Sequence, residues 1–272
     1  MIFAAVLAVS LSAAPVVHMT YQGIDRTFHV YRPEGLSKER AVPLVVMLHG
    51  GFGSGAQAER AYHWDESAQK YGFVVLYPDG VNHAWNAGTC CGTPAREGID
   101  DVGFLSQLIA LIEAGEHIDP DRVVVAGMSN GAMMAYRMAC DAPIQLYGIA
   151  SVAGTMMTPC PNAKPTNVIE IHGDADKNVP YNGGKGSGPA GVVALPVQTV
   201  IARWSSIDGC HHAMPFATAQ YSIKTYGCDN KRSVSLVTVN GAGHQWPGGP
   251  HTPAVALDAT DFIVHAMQLA SP

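Results

Sequence analysis

The chain has 272 residues, 47% of them hydrophobic and only 14% charged, against about 25% charged in an average globular protein. A disordered chain is excluded, because ample apolar surface is available for burial and self-repulsion is weak. With 16 Lys and Arg against 22 Asp and Glu the formal charge is −6, and no run of basic residues offers a footprint for nucleic acid. Residues 1–14, MIFAAVLAVSLSAA, are apolar and end in small side chains. That run is shorter than the ~20 residues a bilayer span needs. It reads as the hydrophobic region of a signal peptide cleaved near Ala14, although no Lys or Arg precedes it; a first buried strand is the competing reading. No later stretch is long and apolar enough to span a membrane, and residues 15–272 are expected to form one domain, secreted or periplasmic.

Residues 16–32 read as two strands around the turn Tyr21-Gln-Gly-Ile-Asp25. Short, continuously apolar runs then recur at 43–51, 72–78, 122–129, 146–154, 167–173 and 233–244. Val and Ile without polar alternation mark strands buried on both faces. Helical patterns separate them at 101–117, 130–141, 193–209 and 254–269. This alternation predicts an α/β fold, with a mostly parallel central sheet and helices on both faces. Loops after the strands then gather at one edge, where such sheets bind ligands. The stretch 181–191, YNGGKGSGPAG, reads equally well as a surface loop or as the mobile rim of a site at that edge.

Gly127-Met-Ser-Asn-Gly131 lies where a strand run meets a helical run. A serine on so sharp a turn needs small neighbours two residues away on either side, and the turn lifts its hydroxyl above the sheet. Earlier in the chain, His49-Gly-Gly-Phe52 closes another buried strand, the place from which a backbone N–H can reach an oxyanion. Gly51 or Phe52 would give one such donor and Asn130 the second, with His49 structural. Downstream, His172-Gly-Asp-Ala-Asp176 and Gly243-His-Gln-Trp246 each follow a strand, supplying an acid (Asp174 or Asp176) and a base (His244) to the same edge. Trp246, beside that base, and Trp85 are expected as aromatic pocket walls. Asp100-Asp101 sits where a helix begins and reads as a cap. The methionines at 128, 133, 134 and 138 read as packing against the sheet.

Six cysteines behind an export segment favour disulfides. Cys210 and Cys228 flank a short polar excursion and are the first expected pair, Cys140 and Cys160 the second. Adjacent Cys90 and Cys91 are expected in separate bridges rather than bonded to each other. No metal is expected, since no C-x-x-C faces a second one or an H-x-x-x-H, and His211-His212 has no partner cluster.

Taken together, Trp85-Asn-Ala-Gly-Thr-Cys-Cys-Gly92, Asp100-Asp-Val-Gly-Phe-Leu105, Gly127-Met-Ser-Asn-Gly-Ala-Met-Met134, His172-Gly-Asp-Ala-Asp-Lys-Asn-Val-Pro-Tyr181 and Gly243-His-Gln-Trp-Pro-Gly-Gly249 resemble the secreted polyhydroxybutyrate depolymerase-like esterases, which include feruloyl esterases. The resemblance implies an α/β-hydrolase fold and a cofactor-independent serine carboxylesterase with Ser129, Asp176 and His244 as its triad. The frame H-G-x-x-D-x-x-V-P favours Asp176 over Asp174. An aromatic-walled pocket on a chain without a cationic cluster points to hydroxycinnamoyl (feruloyl) esters of plant polysaccharide, ahead of short polyesters and acetylated xylan.

Overall fold

The computed structural model describes residues 15–37, 39–250, 252 and 257–270; the expected signal segment lies outside them. In chain order the elements are β1 (Val17–Tyr21), β2 (Ile24–Tyr31), β3 (Val42–Leu48), α1 (Gly55–Ala61), α2 (Trp64–Tyr71), β4 (Val74–Pro78), α3 (Gly92–Glu97), α4 (Asp101–Gly115), β5 (Ile118–Met128) and α5 (Asn130–Asp141). There follow β6 (Gly148–Val152), β7 (Asn167–Gly173), β8 (Gly184–Lys185), β9 (Val193–Ala194), α6 (Val197–Ile207), β10 (Ala213–Ala217), β11 (Tyr221–Gly227), β12 (Ser233–Val239) and α7 (Ala259–Ala266). The part of the expected last helix at 254–256 is outside the described residues.

Among the described residues ten strands form one sheet in the order β1-β2-β4-β3-β5-β6-β7-β12-β11-β10. The centre, from β4 to β12, is parallel, and the pairs at both edges are antiparallel. Alternate residues of each central strand serve two cores. On β3, Leu44, Val46 and Leu48 face α4, α5 and α6, whereas Val45 and Met47 face α1, α2 and α7. Burial on both sides is why these strands carry no polar alternation.

β3 and β5 are neighbours in the sheet, yet the chain leaves β3 toward β4 on one side and β5 toward β6 on the other. Their diverging exits open a crevice beyond the carboxyl ends of the strands, the switch point at which open α/β sheets place ligands. The excursion between Cys210 and Cys228 is a β-hairpin, β10–β11, extending the sheet edge. β10 is mostly exposed and β11 mostly half-buried, so neither carries the run of Val and Ile that marks a central strand in sequence.

Candidate active site

Ser129 follows β5 with φ 54° and ψ −116°, a backbone conformation costly for a residue with a side chain and characteristic of functional turns. The two glycines of the motif make it possible. A Cβ on Gly127 would collide with the backbone of Gly131, and one on Gly131 with the carbonyls of Leu48 and His49 at the end of β3. The turn therefore packs directly against the neighbouring strand.

The serine Oγ lies 2.8 Å from His244 Nε2, and His244 Nδ1 lies 2.8 Å from Asp176 Oδ2. Asp176 is buried, and its other oxygen accepts the backbone N–H groups of Asn178 (2.8 Å) and Val179 (3.0 Å). Burial opposes its charge, but hydrogen bonds from His172, His244 and Val179 outweigh that and hold its carboxyl well below the usual range. Asp174 is exposed and instead accepts the Gly241 N–H at 2.6 Å, tying down the loop that carries His244.

Gly51 and Asn130 approach each other beside the serine: a Cβ on Gly51 would stand 3.9 Å from that of Asn130. The Phe52 N–H donates to the His83 carbonyl (2.8 Å), and His83 Nδ1 donates to the Gly53 carbonyl (2.9 Å). The loop after β3 is thus clamped on both sides of Phe52. His49 is buried, donates from Nδ1 to the Gly50 carbonyl and accepts the Gly80 N–H at Nε2 (2.9 Å). Burial lowers its pKa, as its acceptor role requires, and it holds the loop rather than reacting.

These groups open into a cavity of about 440 Å³. Met133, Val179, Pro189 and Val192 give apolar surface; Thr93 and Arg96 of α3 give polar surface. Phe52, 80% exposed, stands at the lip.

Residues 26–166, just over half of the chain, match the family described as Esterase PHB depolymerase. The chain belongs to this family. It is a serine hydrolase acting on carboxylic esters, built on the α/β-hydrolase fold. Among its relatives is the protein NocK of Nocardia uniformis subsp. tsuyamanensis, 32% identical over 243 residues, with 80% of this chain and 70% of that one covered. Another is Feruloyl esterase B of Piromyces equi, 28% identical over 225 residues, covering 78% of this chain but only 41% of that protein. Among solved structures, the acetyl xylan esterase from Aspergillus awamori superposes with a TM-score of 0.67 at 16% identity, covering 94% of this chain and all of that one, a likeness of fold.

Two expectations for this esterase need correction. Neither tryptophan walls the cavity. Trp85 is fully buried behind it: its indole N–H donates to the His49 carbonyl (3.0 Å), and its backbone exchanges two hydrogen bonds with the Asn130 side chain (2.7 and 3.0 Å). Trp246 is buried away from the cavity lining, stacked on Tyr62 at 4.5 Å, with its N–H donated to Thr260 Oγ1. Both rings are anchors under the site, since an indole this deep needs a partner for its N–H and finds it in the scaffold. Second, Cys90 and Cys91 are bonded to each other, since Cys140 is paired with Cys160 and Cys210 with Cys228. Cys91 lies on the cavity wall, so this bridge ties the loop entering α3. Three disulfides are what an oxidising, extracytoplasmic compartment maintains. No helix among the described residues is long and apolar enough to cross a membrane.

Asp100 caps α4 by accepting the Gly103 N–H, and Asp101 pairs with buried Arg26 at 2.8 Å. Residues 188–191 of the glycine-rich stretch, and Val192 after it, border the cavity. Sequence reasoning did not find Asn82, His83, Thr93 or Arg96, which carry no periodic pattern.

Proposed function

We propose that Ser129, His244 and Asp176 hydrolyse esters through an acyl-enzyme. The observation that carries this reading is the continuous hydrogen-bonded chain from the serine hydroxyl through His244 to a buried carboxylate, opening into a cavity. Ser129 Oγ attacks the ester carbonyl while His244 Nε2 takes its proton, and Asp176 stabilises the imidazolium that forms. The N–H groups of Gly51 and Asn130 bind the oxyanion, each worth about 3–4 kcal/mol in the transition state. Gly51 is preferred to Phe52 because the Phe52 N–H is already committed to His83. His244 then protonates the leaving alcohol, and a water molecule repeats the sequence to release the acid.

For the acyl group we propose a hydroxycinnamoyl ester of plant polysaccharide. The two tryptophans no longer support this choice; cavity size, apolar walls and Phe52 at the lip do. A cavity of about 440 Å³ lies within the ~300–1,000 Å³ of small-molecule sites, and a bare acetyl group would leave most of it wet. We propose export through the segment 1–14, in keeping with the disulfides.

Ser129→Ala should abolish turnover of a p-nitrophenyl acyl ester while leaving the thermal melt intact; retained activity overturns the assignment. Comparing kcat/KM for methyl ferulate, a hydroxybutyrate oligomer and acetylated xylan tests the acyl group, and methyl ferulate as the poorest of the three overturns it.

A further inference from the structure

Behind Asp176 lies a second histidine that the hydrolytic sequence above does not use. His172, on β7, is 1% exposed, and its partners fix where its protons sit. Nε2 is 2.8 Å from the Val179 carbonyl, which can only accept, so Nε2 carries a proton. Nδ1 is 2.8 Å from Glu170 Oε1, while Glu170 Oε2 accepts the Tyr136 hydroxyl at 2.8 Å. Asp176 Oδ2, the oxygen that also holds His244, lies 3.5 Å from His172 Nε2. Glu170 and Asp176 are both buried. With a neutral ring between them, two carboxylates would share a dry site without a cation, a costly arrangement.

We infer that His172 is a positioning residue that stays protonated throughout catalysis, holding Asp176 ionised and aligned behind His244. This rests on the triad proposed above. Five titratable groups surround the ring or its partners: Glu170 on the same strand, Asp176 in the following loop, Tyr136 on α5, Tyr181 with its ring centroid 5.9 Å away, and His244 across Asp176. Burial opposes the positive charge, but Asp176 and Glu170 outweigh it and push the imidazole up to about 10. The cation has a functional consequence. It keeps Asp176 ionised, and so able to hold His244 in place, to lower pH than burial alone would allow.

The test has two arms on the full chain. Histidine-selective ¹⁵N spectroscopy of the wild type should show one ring protonated on both nitrogens at about pH 8.5, roughly two units above an ordinary imidazole, and His172→Gln should lose it. The acid limb of kcat/KM for a neutral ester should move up by about one pH unit in His172→Gln; loss of packing alone would lower the plateau and leave the limb in place. The spectroscopic arm stands even where the variant folds poorly, because it reads the wild type. Absence of the doubly protonated ring, or a limb that does not move, overturns the inference. Ser129→Ala separates the two readings: if it stays active the triad fails, and if it is inactive while the limb stays fixed, only the role of His172 fails.

Discussion

The two walls of the cavity are built in different ways. On one side Ser129, Asp176, His244 and Gly51 each sit just beyond a buried strand of the parallel sheet, with hydrogen bonds fixing the Ser129, His244 and Asp176 side chains. On the other, α3 is a six-residue helix entered through the Cys90–Cys91 bridge, and residues 188–192 lie between the two-residue strands β8 and β9. The first wall inherits its precision from the core. The second has short local elements and disulfide ties, so it can vary without disturbing the sheet. Chemistry is therefore assigned to the first wall and choice of acyl group to the second, a division that can be broken experimentally.

The largest effect is expected on the first wall. Asp176→Asn leaves the geometry nearly unchanged but removes the charge that fixes the His244 tautomer, and kcat should fall by about 10⁴. Asp174→Asn, which disturbs one hydrogen bond to Gly241, should keep kcat within a few-fold of wild type. Steady-state kinetics of the two side by side check this, and a reversed order would move the acid to Asp174.

Next is Gly131→Ala. Its new methyl would meet the carbonyls of Leu48 and His49, rigid backbone of a central strand that cannot step aside. A stability loss of about 1–3 kcal/mol is expected from overpacking, read as a lower denaturant midpoint, together with loss of activity as Ser129 shifts. An equal substitution at exposed Gly115, where a Cβ meets nothing within 4 Å, should cost nothing measurable in activity.

The same contrast explains what could be read in the sequence. The central strands announce themselves because burial on both faces demands unbroken apolar runs, and the serine turn because sterics demand glycines at 127 and 131. Helices α1, α2 and α3, of seven, eight and six residues, are too short to establish a helical period. In the hairpin β10–β11, Pro215 interrupts the apolar run Ala213–Ala217, and Met214 and Phe216 are exposed on an edge strand, so the run lacks the mark of a strand buried on both faces. Trp246 shows the limit of sequence distance: two residues past His244 the chain has turned its ring down onto Tyr62 and Trp64. His172 was visible as part of a motif, but its charge depends on burial beside Asp176 and Glu170 and on the Val179 carbonyl, which spacing in the sequence does not show.

On the second wall the expected effects are smaller and specific to substrate. Val192 borders the cavity, and Val192→Ala removes two methyl groups, worth about 1.6 kcal/mol of apolar contact. For methyl ferulate KM should rise roughly tenfold with kcat little changed. For an acetyl ester, too small to reach that wall, both constants should stay near wild type. Equal losses on the two substrates would mean that the rim does not select the acyl group.

The smallest effect lies away from both walls and tests whether the scaffold carries its own pH dependence. Asp65, on α2, is buried and accepts the Tyr77 hydroxyl at 2.6 Å. Burial raises its pKa to about 7, with Glu59 and Glu66 adding to the rise and the Tyr77 hydrogen bond opposing it. The folded state then binds a proton that the unfolded state, with a carboxyl pKa near 4, has released by neutral pH. Stability from this group is therefore lost as pH rises from about 4 to about 7, the reverse of a salt-bridged carboxylate. Asp65→Asn keeps the size and an acceptor for Tyr77 without the charge. Its melting temperature should exceed that of wild type by a few degrees at pH 8, about 1 kcal/mol being worth roughly 2–4 °C in a chain of this length. At pH 4 the gain should vanish, and kcat should be unchanged at both pH values because Asp65 does not border the cavity. A gain of the same size at both pH values would assign the effect to packing rather than to the buried proton.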